Sequence, residues 1–150
     1  MGCSSSNKKR PGYKSCVRYY NDAKQVLTTN ATNQMQLLGA RVVDTGVSIE
    51  AQPSSYTIVT KGMYHLTGDV YINATASGVV KFVVYLDGVA LPCTGMNQTI
   101  FVGYNAIHIE TDIEIDGCCG INRNITFNVI TDATAAGTVE HICTGIIKEA

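Results

Sequence analysis

The stretch Gly62-Met63-Tyr64-His65-Leu66-Thr67-Gly68-Asp69-Val70-Tyr71-Ile72-Asn73 decides the fold, because its side chains sort by parity. Tyr64, Leu66, Gly68, Val70 and Ile72 fall on one side, and Met63, His65, Thr67, Asp69, Tyr71 and Asn73 on the other. That period of two describes a half-buried β-strand. A second strand follows directly. Val80, Phe82, Val84 and Leu86 share a face with Lys81 opposite, and Asp87-Gly88 supplies a tight turn, since glycine tolerates the positive φ such turns require.

The same alternation recurs further along. Ile107, Ile109, Thr111, Ile113 and Ile115 lie on one face while His108, Glu110, Asp112, Glu114 and Asp116 lie on the other, a register that a one-residue slip would invert at high cost. Ile125, Phe127 and Val129 mark another strand, and residues 139–148 the last. Upstream, Ala40-Arg41-Val42-Val43, Val47-Ser48-Ile49 and residues 56–59 read as short strands separated by turns at Asp44-Thr45-Gly46 and Pro53-Ser54-Ser55. Leu91-Pro92, Thr94-Gly95-Met96-Asn97, Asp116-Gly117-Cys118-Cys119-Gly120 and residues 132–137 read as loops. Eight to ten short strands about a dozen residues apart, with no helical periodicity, predict an all-β antiparallel sandwich. Residues 79–86 and 144–147 are apolar on both faces, as in a sheet covered on both sides by a neighbouring subunit or by long loops.

A chain of 150 residues with 45% hydrophobic and 15% charged content suits one domain with a real core. It contains no apolar run near the roughly 20 residues of a membrane helix. The amino terminus, Met1-Gly2-Cys3-Ser4-Ser5-Ser6-Asn7-Lys8-Lys9-Arg10, lacks the apolar region of a secretory signal, so export by that route is not expected. Its Met1-Gly2-Cys3-Ser4-Ser5-Ser6 fits an acylation pattern that short sequences also meet by chance. The sequons at Asn30, Asn73, Asn97 and Asn124 are read as turn and edge residues.

Charge is distributed unevenly. Residues 1–24 hold six basic residues against the single acid Asp22, a net of +5, whereas the remainder carries five basic against eleven acidic, a net of −6. A basic segment implies an acidic partner. Residues 1–33 are therefore read as an arm ending in the polar linker Thr28-Thr29-Asn30-Ala31-Thr32-Asn33, and residues 34–150 as the domain. Within the arm, residues 17–27 suit either a short helix or an extended ribbon, with Tyr13, Tyr19 and Tyr20 as anchors.

Six cysteines, Cys3, Cys16, Cys93, Cys118, Cys119 and Cys143, make three disulfides or none. In the absence of an export signal free thiols are expected, with a Cys3 to Cys16 link, or one between the arms of neighbouring chains, as the alternative. There is no Cys-x-x-Cys pair, and adjacent Cys118 and Cys119 do not chelate one zinc in relaxed geometry. Alternate carboxylates on one strand, as in Glu110, Asp112, Glu114 and Asp116, stand about 6.6 to 7 Å apart, too far for three to grip one calcium ion. They read as a solvated face, or as an acidic strip that receives basic groups. His65, His108 and His141 have no nucleophile motif beside them; His141 and Cys143 share a face by parity. No catalysis, cofactor or metal is expected.

Taken together, Thr60-Lys61-Gly62-Met63-Tyr64-His65-Leu66, Phe82-Val83-Val84-Tyr85-Leu86-Asp87-Gly88, Val102-Gly103-Tyr104-Asn105-Ala106-Ile107-His108-Ile109 and Thr144-Gly145-Ile146-Ile147 resemble the conserved strands of the tumour necrosis factor and complement globular-head superfamily. The match spans residues 34–148 and departs from the usual pattern at Lys61, where a proline is frequent, and at Cys143, near an aromatic position. The resemblance implies a jelly roll of about ten strands and a tight homotrimer, with Tyr85, Ile146 and Ile147 as interface candidates.

A basic arm without collagen repeats or an export signal then points to a bacteriophage virion component. The expectation is a non-enzymatic capsid decoration or head-fibre protein on the capsid surface, gripping a major capsid or other virion protein through Lys8, Lys9, Arg10, Tyr13, Lys14, Arg18, Tyr19 and Tyr20. A host-surface glycan or receptor is the second partner this reading allows; neither nucleic acid nor membrane is expected. The alternatives are the receptor-binding tip of a tail fibre, a spore-surface protein, or a secreted cytokine-like ligand.

Overall fold

The structure, a computed structural model, describes residues 14–150. Thirteen strands follow one another: β1 (Cys16–Asn21), β2 (Gln25–Val26), β3 (Thr32–Gln34), β4 (Ala40–Thr45), β5 (Ile49–Gln52), β6 (Ser55–Ile58), β7 (Gly62–Ala76), β8 (Gly78–Leu86), β9 (Val89–Ala90), β10 (Asn97–Ile100), β11 (Gly103–Ile115), β12 (Arg123–Thr131) and β13 (Ala136–Lys148). They form two antiparallel sheets. The first runs β11-β7-β13-β1-β4, with β2 beside β13; the second runs β10-β8-β12-β6-β5, with β3 beside β12 and β9 beside β8. The expected all-β jelly-roll sandwich is the observed fold.

Its core follows the parity of the sequence. Tyr64, Leu66, Val70 and Ile72 of β7 are buried against Phe82 and Val84 of β8 and Ile125, Phe127 and Val129 of β12. Gly68 lies under two rings, where an added Cβ would stand 3.0 Å from both Phe82 and Phe127, so the apolar row is interrupted by the residue that lets those rings in. Between the sheets Tyr56 Oη and Thr144 Oγ1 are 2.6 Å apart, and burial pushes the Tyr56 phenol above its ordinary range. The pair satisfies two buried polar groups that would otherwise each cost about 1–3 kcal/mol. At the end of β8, Asp87 and Gly88 have φ of 50° and 83°, the paired positive angles of a type I′ hairpin, and Asp87 also binds Arg123 and accepts from the backbone N–H of Asn124 at 2.8 Å.

The amino-terminal boundary differs from the expectation. Residues 16–21 are extended and lie inside the first sheet, Val17 opposite Ile146 of β13 and Arg18 opposite Val43 of β4. Val17, Leu27, Met35 and Leu37 all belong to the core. Sequence reading assigned this stretch to an arm because of its basic charge, but only one of the strand's two faces is exposed, and the other fills a gap between β13 and β4. Residues 16–21 thus belong to the jelly roll and not to an arm that runs to residue 33, and the helical alternative for residues 17–27 is replaced by β1 and β2. Lys8, Lys9, Arg10, Tyr13 and Cys3 lie outside the described residues. Cys16 is disulfide-bonded, contrary to the free-thiol expectation, while Cys93, Cys118, Cys119 and Cys143 are free.

Residue 83 shows how one doubly apolar strand is covered. Val83 points away from the core yet is buried, because Gly95 folds over it, its N–H donating to Phe82 O at 2.8 Å. Here a loop, not a subunit, does the covering.

Candidate functional site: the outward face of the first sheet

The outward residues of β1, β13, β7 and β11 line up in rows fixed by the strand register. One row runs Cys16, Ile147, His65, Asp112; the next Arg18, Gly145, Thr67, Glu110; a third Tyr20, Cys143, Asp69, His108. Beyond them lie His141, Tyr71 and Ala106, and then Val26, Thr138, Asn73 and Tyr104. His141 keeps the outward parity of Cys143, Gly145 and Ile147, and a bulge between Val139 and His141 then puts Val139 into the core.

Aromatic and apolar groups gather at one end. The His141 ring sits between Tyr71, centroids 4.1 Å apart, and Tyr20, 5.4 Å apart. Tyr104 is 77% exposed and Val26 81%, and Phe101 and Val102 leave the adjoining loop equally open. Lys24 Nζ binds Glu140 at 3.0 Å beside this patch. Exposed aromatic and aliphatic groups clustered on one face are the composition of a protein interface rather than of a solvated strand surface.

Titratable groups gather at the other end. His108 is held from both sides, Nδ1 at 2.7 Å from Asp69 Oδ1 and Nε2 at 2.8 Å from Glu110 Oε2. Glu110 first, then Asp69, raise its pKa above the ordinary imidazole value, and His108 in turn lowers that of Glu110. His65 presents Nδ1 to Asp112 Oδ1 at 2.6 Å and to Glu149 Oε1 at 3.9 Å. Glu110 and Asp112 of β11 therefore meet histidines of their own sheet.

The arm residues that are described belong to the sheet. Tyr19 faces inward, donating from Oη to Asp44 Oδ2 at 2.7 Å; burial and then Asp44 push its pKa up to about 12. Tyr20 and Arg18 lie on the outward face, and Lys14 lines a surface cavity with His65. The three do not form one gripping surface: Tyr19 is turned into the sandwich, while Arg18 is exposed and Tyr20 half-buried on the outward face. Nor do the three expected trimer contacts share a face. Ile146 is fully buried between the sheets, Tyr85 lies on the outward side of the second sheet, and Ile147 alone lies on that of the first. One strand places alternate residues on opposite faces, so adjacent Ile146 and Ile147 cannot both meet one partner. The sequence did carry a signal for this patch: Tyr71 is a tall aromatic among the polar His65, Thr67, Asp69 and Asn73 on the outward parity of β7.

No family profile and no curated protein matches the sequence. Solved structures do. The chain superposes on murine APRIL, crystallised at pH 5.0, with a TM-score of 0.62 at 15% identity, covering 90% of this chain and 98% of that one. It superposes on the PRD1 vertex protein P5 with a TM-score of 0.58 at 13% identity, covering 89% and 96%. At such identities the likeness speaks to the backbone alone, and its near-complete coverage of both partners shows that the described residues form a TNF-like jelly roll.

Proposed function

We propose that this chain is a non-enzymatic structural protein of a virus particle, a homotrimeric head that decorates the capsid surface and is attached through its basic amino-terminal segment. The observation that carries the reading is the outward face of the first sheet. It gathers Tyr20, His141, Tyr71, Tyr104 and Val26 on one surface of a fold that also builds a virion vertex protein, P5 of PRD1. Three copies meeting on this face would cover the aromatic cluster, and the basic residues Lys8, Lys9 and Arg10 would supply attachment to an acidic surface of the shell.

The test is retention on particles. Purified full-length protein added to capsids that lack it is expected to co-sediment with them, and Lys8→Glu, Lys9→Glu and Arg10→Glu combined should abolish retention without changing the mass of the free protein. Co-sedimentation unaffected by that charge reversal would refute attachment through this segment.

A second reading is favoured by the disulfide at Cys16 together with the likeness to APRIL: a ligand head that works in an oxidising extracellular setting. Recovery of the protein from culture medium, with none on purified particles, would select it.

A further inference from the structure

We propose that His65, Asp112 and Glu149 form a binding site for a transition-metal dication of the zinc type. Three separate segments bring them together: β7, β11 and the carboxy-terminal residues. Their ligand atoms, one imidazole nitrogen and two carboxylate oxygens, all lie within 4.8 Å of one another. They open onto a cavity of about 350 Å³ whose lining Lys14 and Ile147 complete.

The comparison between the two histidines of this face carries the argument. At His108 the carboxylates sit on opposite ring nitrogens, Asp69 at Nδ1 and Glu110 at Nε2, so no single ion reaches all three groups. At His65 both carboxylates converge on the same nitrogen, at 2.6 and 3.9 Å. A tetrahedral zinc ion bound at about 2.0–2.2 Å holds its ligands roughly 3.4 Å apart, between those two separations. Adapting requires Asp112 to move away from Nδ1 and Glu149 to move toward it. Both side chains are more than half exposed and free to swing, at 63% and 51%. The imidazole would carry its proton on Nε2 and leave the Nδ1 lone pair to the metal.

The third ligand is held in place by backbone. Glu149 N–H donates to Met63 O at 2.7 Å, and Met63 N–H donates to Ala150 O at 2.9 Å. Gly62 makes this possible: with φ at 150° it adopts a conformation other residues avoid, and a Cβ there would lie 2.3 Å from Ala150 O. The carboxy-terminal segment is thereby laid along the start of β7, within reach of His65. An imidazole with two carboxylates suits Zn²⁺, Co²⁺ or Mn²⁺ better than Ca²⁺, which takes six to eight oxygens. This site stands whatever the oligomeric state and whatever the protein is attached to.

The test is calorimetric titration of the full-length protein with ZnCl₂, after the free thiols, Cys118 and Cys119 above all, have been alkylated so that they do not compete. One ion per chain is expected. His65→Ala and Asp112→Asn should each weaken binding by at least about tenfold, since even supporting groups of a metal site act on that scale. His108→Ala should leave it unchanged, and CaCl₂ should bind far more weakly. A second readout follows folding separately: zinc should raise the thermal midpoint of the parent and of His108→Ala, but not of His65→Ala. Absence of zinc binding, equal binding by His65→Ala, dependence on His108, or equal affinity for calcium would each overturn the assignment.

Discussion

The two sheets differ in what they leave open to the outside. On the second sheet the outward residues of β12 and β8 mix polar groups, Asn124, Thr126, Asn128 and Lys81, with the half-buried Val79, Tyr85 and Ile130, and a further apolar group, Val83, is covered by the loop at Gly95. Asn128 there is buried and donates to Thr126 Oγ1 at 3.0 Å, so even its polar atoms are satisfied within the chain. On the first sheet tall side chains stand side by side. His141 meets both Tyr71 and Tyr20, Tyr104 and Val26 are open, and His65 and His108 hold carboxylates across strands. An apolar group covered by a loop of its own chain, as Val83 is, leaves nothing open there, whereas Tyr104 and Val26 beside the half-buried Tyr20, Tyr71 and His141 leave apolar surface for a partner. On this difference we place the proposed threefold contact on the first sheet.

The comparison can be broken from the inside first. Phe127 meets Phe82 at a tilt and Tyr56 edge-on within the second sheet and lies over Gly68 of the first, so Phe127→Ala should cost about 3–5 kcal/mol, read as a fall in thermal and denaturant midpoints. A loss much below that would mean the sheets do not pack through this ring.

The next effect separates the faces. Tyr71→Arg should cost about 2 kcal/mol or more of assembly free energy, the scale of a central aromatic contact, and shift the mass toward monomer while circular dichroism stays that of folded β-structure. Thr126→Arg on the second sheet should leave the mass unchanged. If Thr126→Arg dissociates the protein and Tyr71→Arg does not, the faces have been assigned the wrong way round.

Two smaller effects concern pH. Asp132 accepts backbone N–H groups from Val79, Thr134 and Ala135, which hold its carboxyl at about 2. A depressed pKa stabilises above the unfolded value of 3.8 and the benefit fades as pH falls through about 2. The stability difference between parent and Asp132→Ala should accordingly be full at neutral pH and vanish toward pH 2. His108 behaves in the reverse sense. Its raised pKa contributes stability that is complete below the ordinary imidazole value of 6.5 and is lost as pH rises through the folded value. Its NMR titration should lie above that of a free imidazole and fall in Glu110→Gln; an unchanged midpoint would show that the carboxylate contact does not persist in solution.

Much of the fold was legible because strands buried on one face write their register into the chain. The rows Tyr64 to Ile72 and Ile107 to Ile115 needed only counting, and both are in the core as counted, apart from Ile109, which is half-buried. β1 was not legible. Cys16-Val17-Arg18-Tyr19-Tyr20-Asn21 carries a charge and two tyrosines, and its burial depends on Ile146, far away in sequence. The site was hidden for the same reason. His65 and Asp112 are 47 residues apart and meet only because the long β7–β11 ladder sets them opposite each other, while Glu149 joins them through the backbone at Met63. Tyr71 and His141 likewise become neighbours through strand pairing that local pattern does not announce.

The most direct test of the central claim is the solution mass of the full-length chain, by light scattering across a range of concentrations. The outward face of the first sheet predicts a stable species at three times 16.1 kDa that persists on dilution. A folded monomer at every concentration would contradict the account, because the aromatic patch would then be a solvated surface and not a subunit contact.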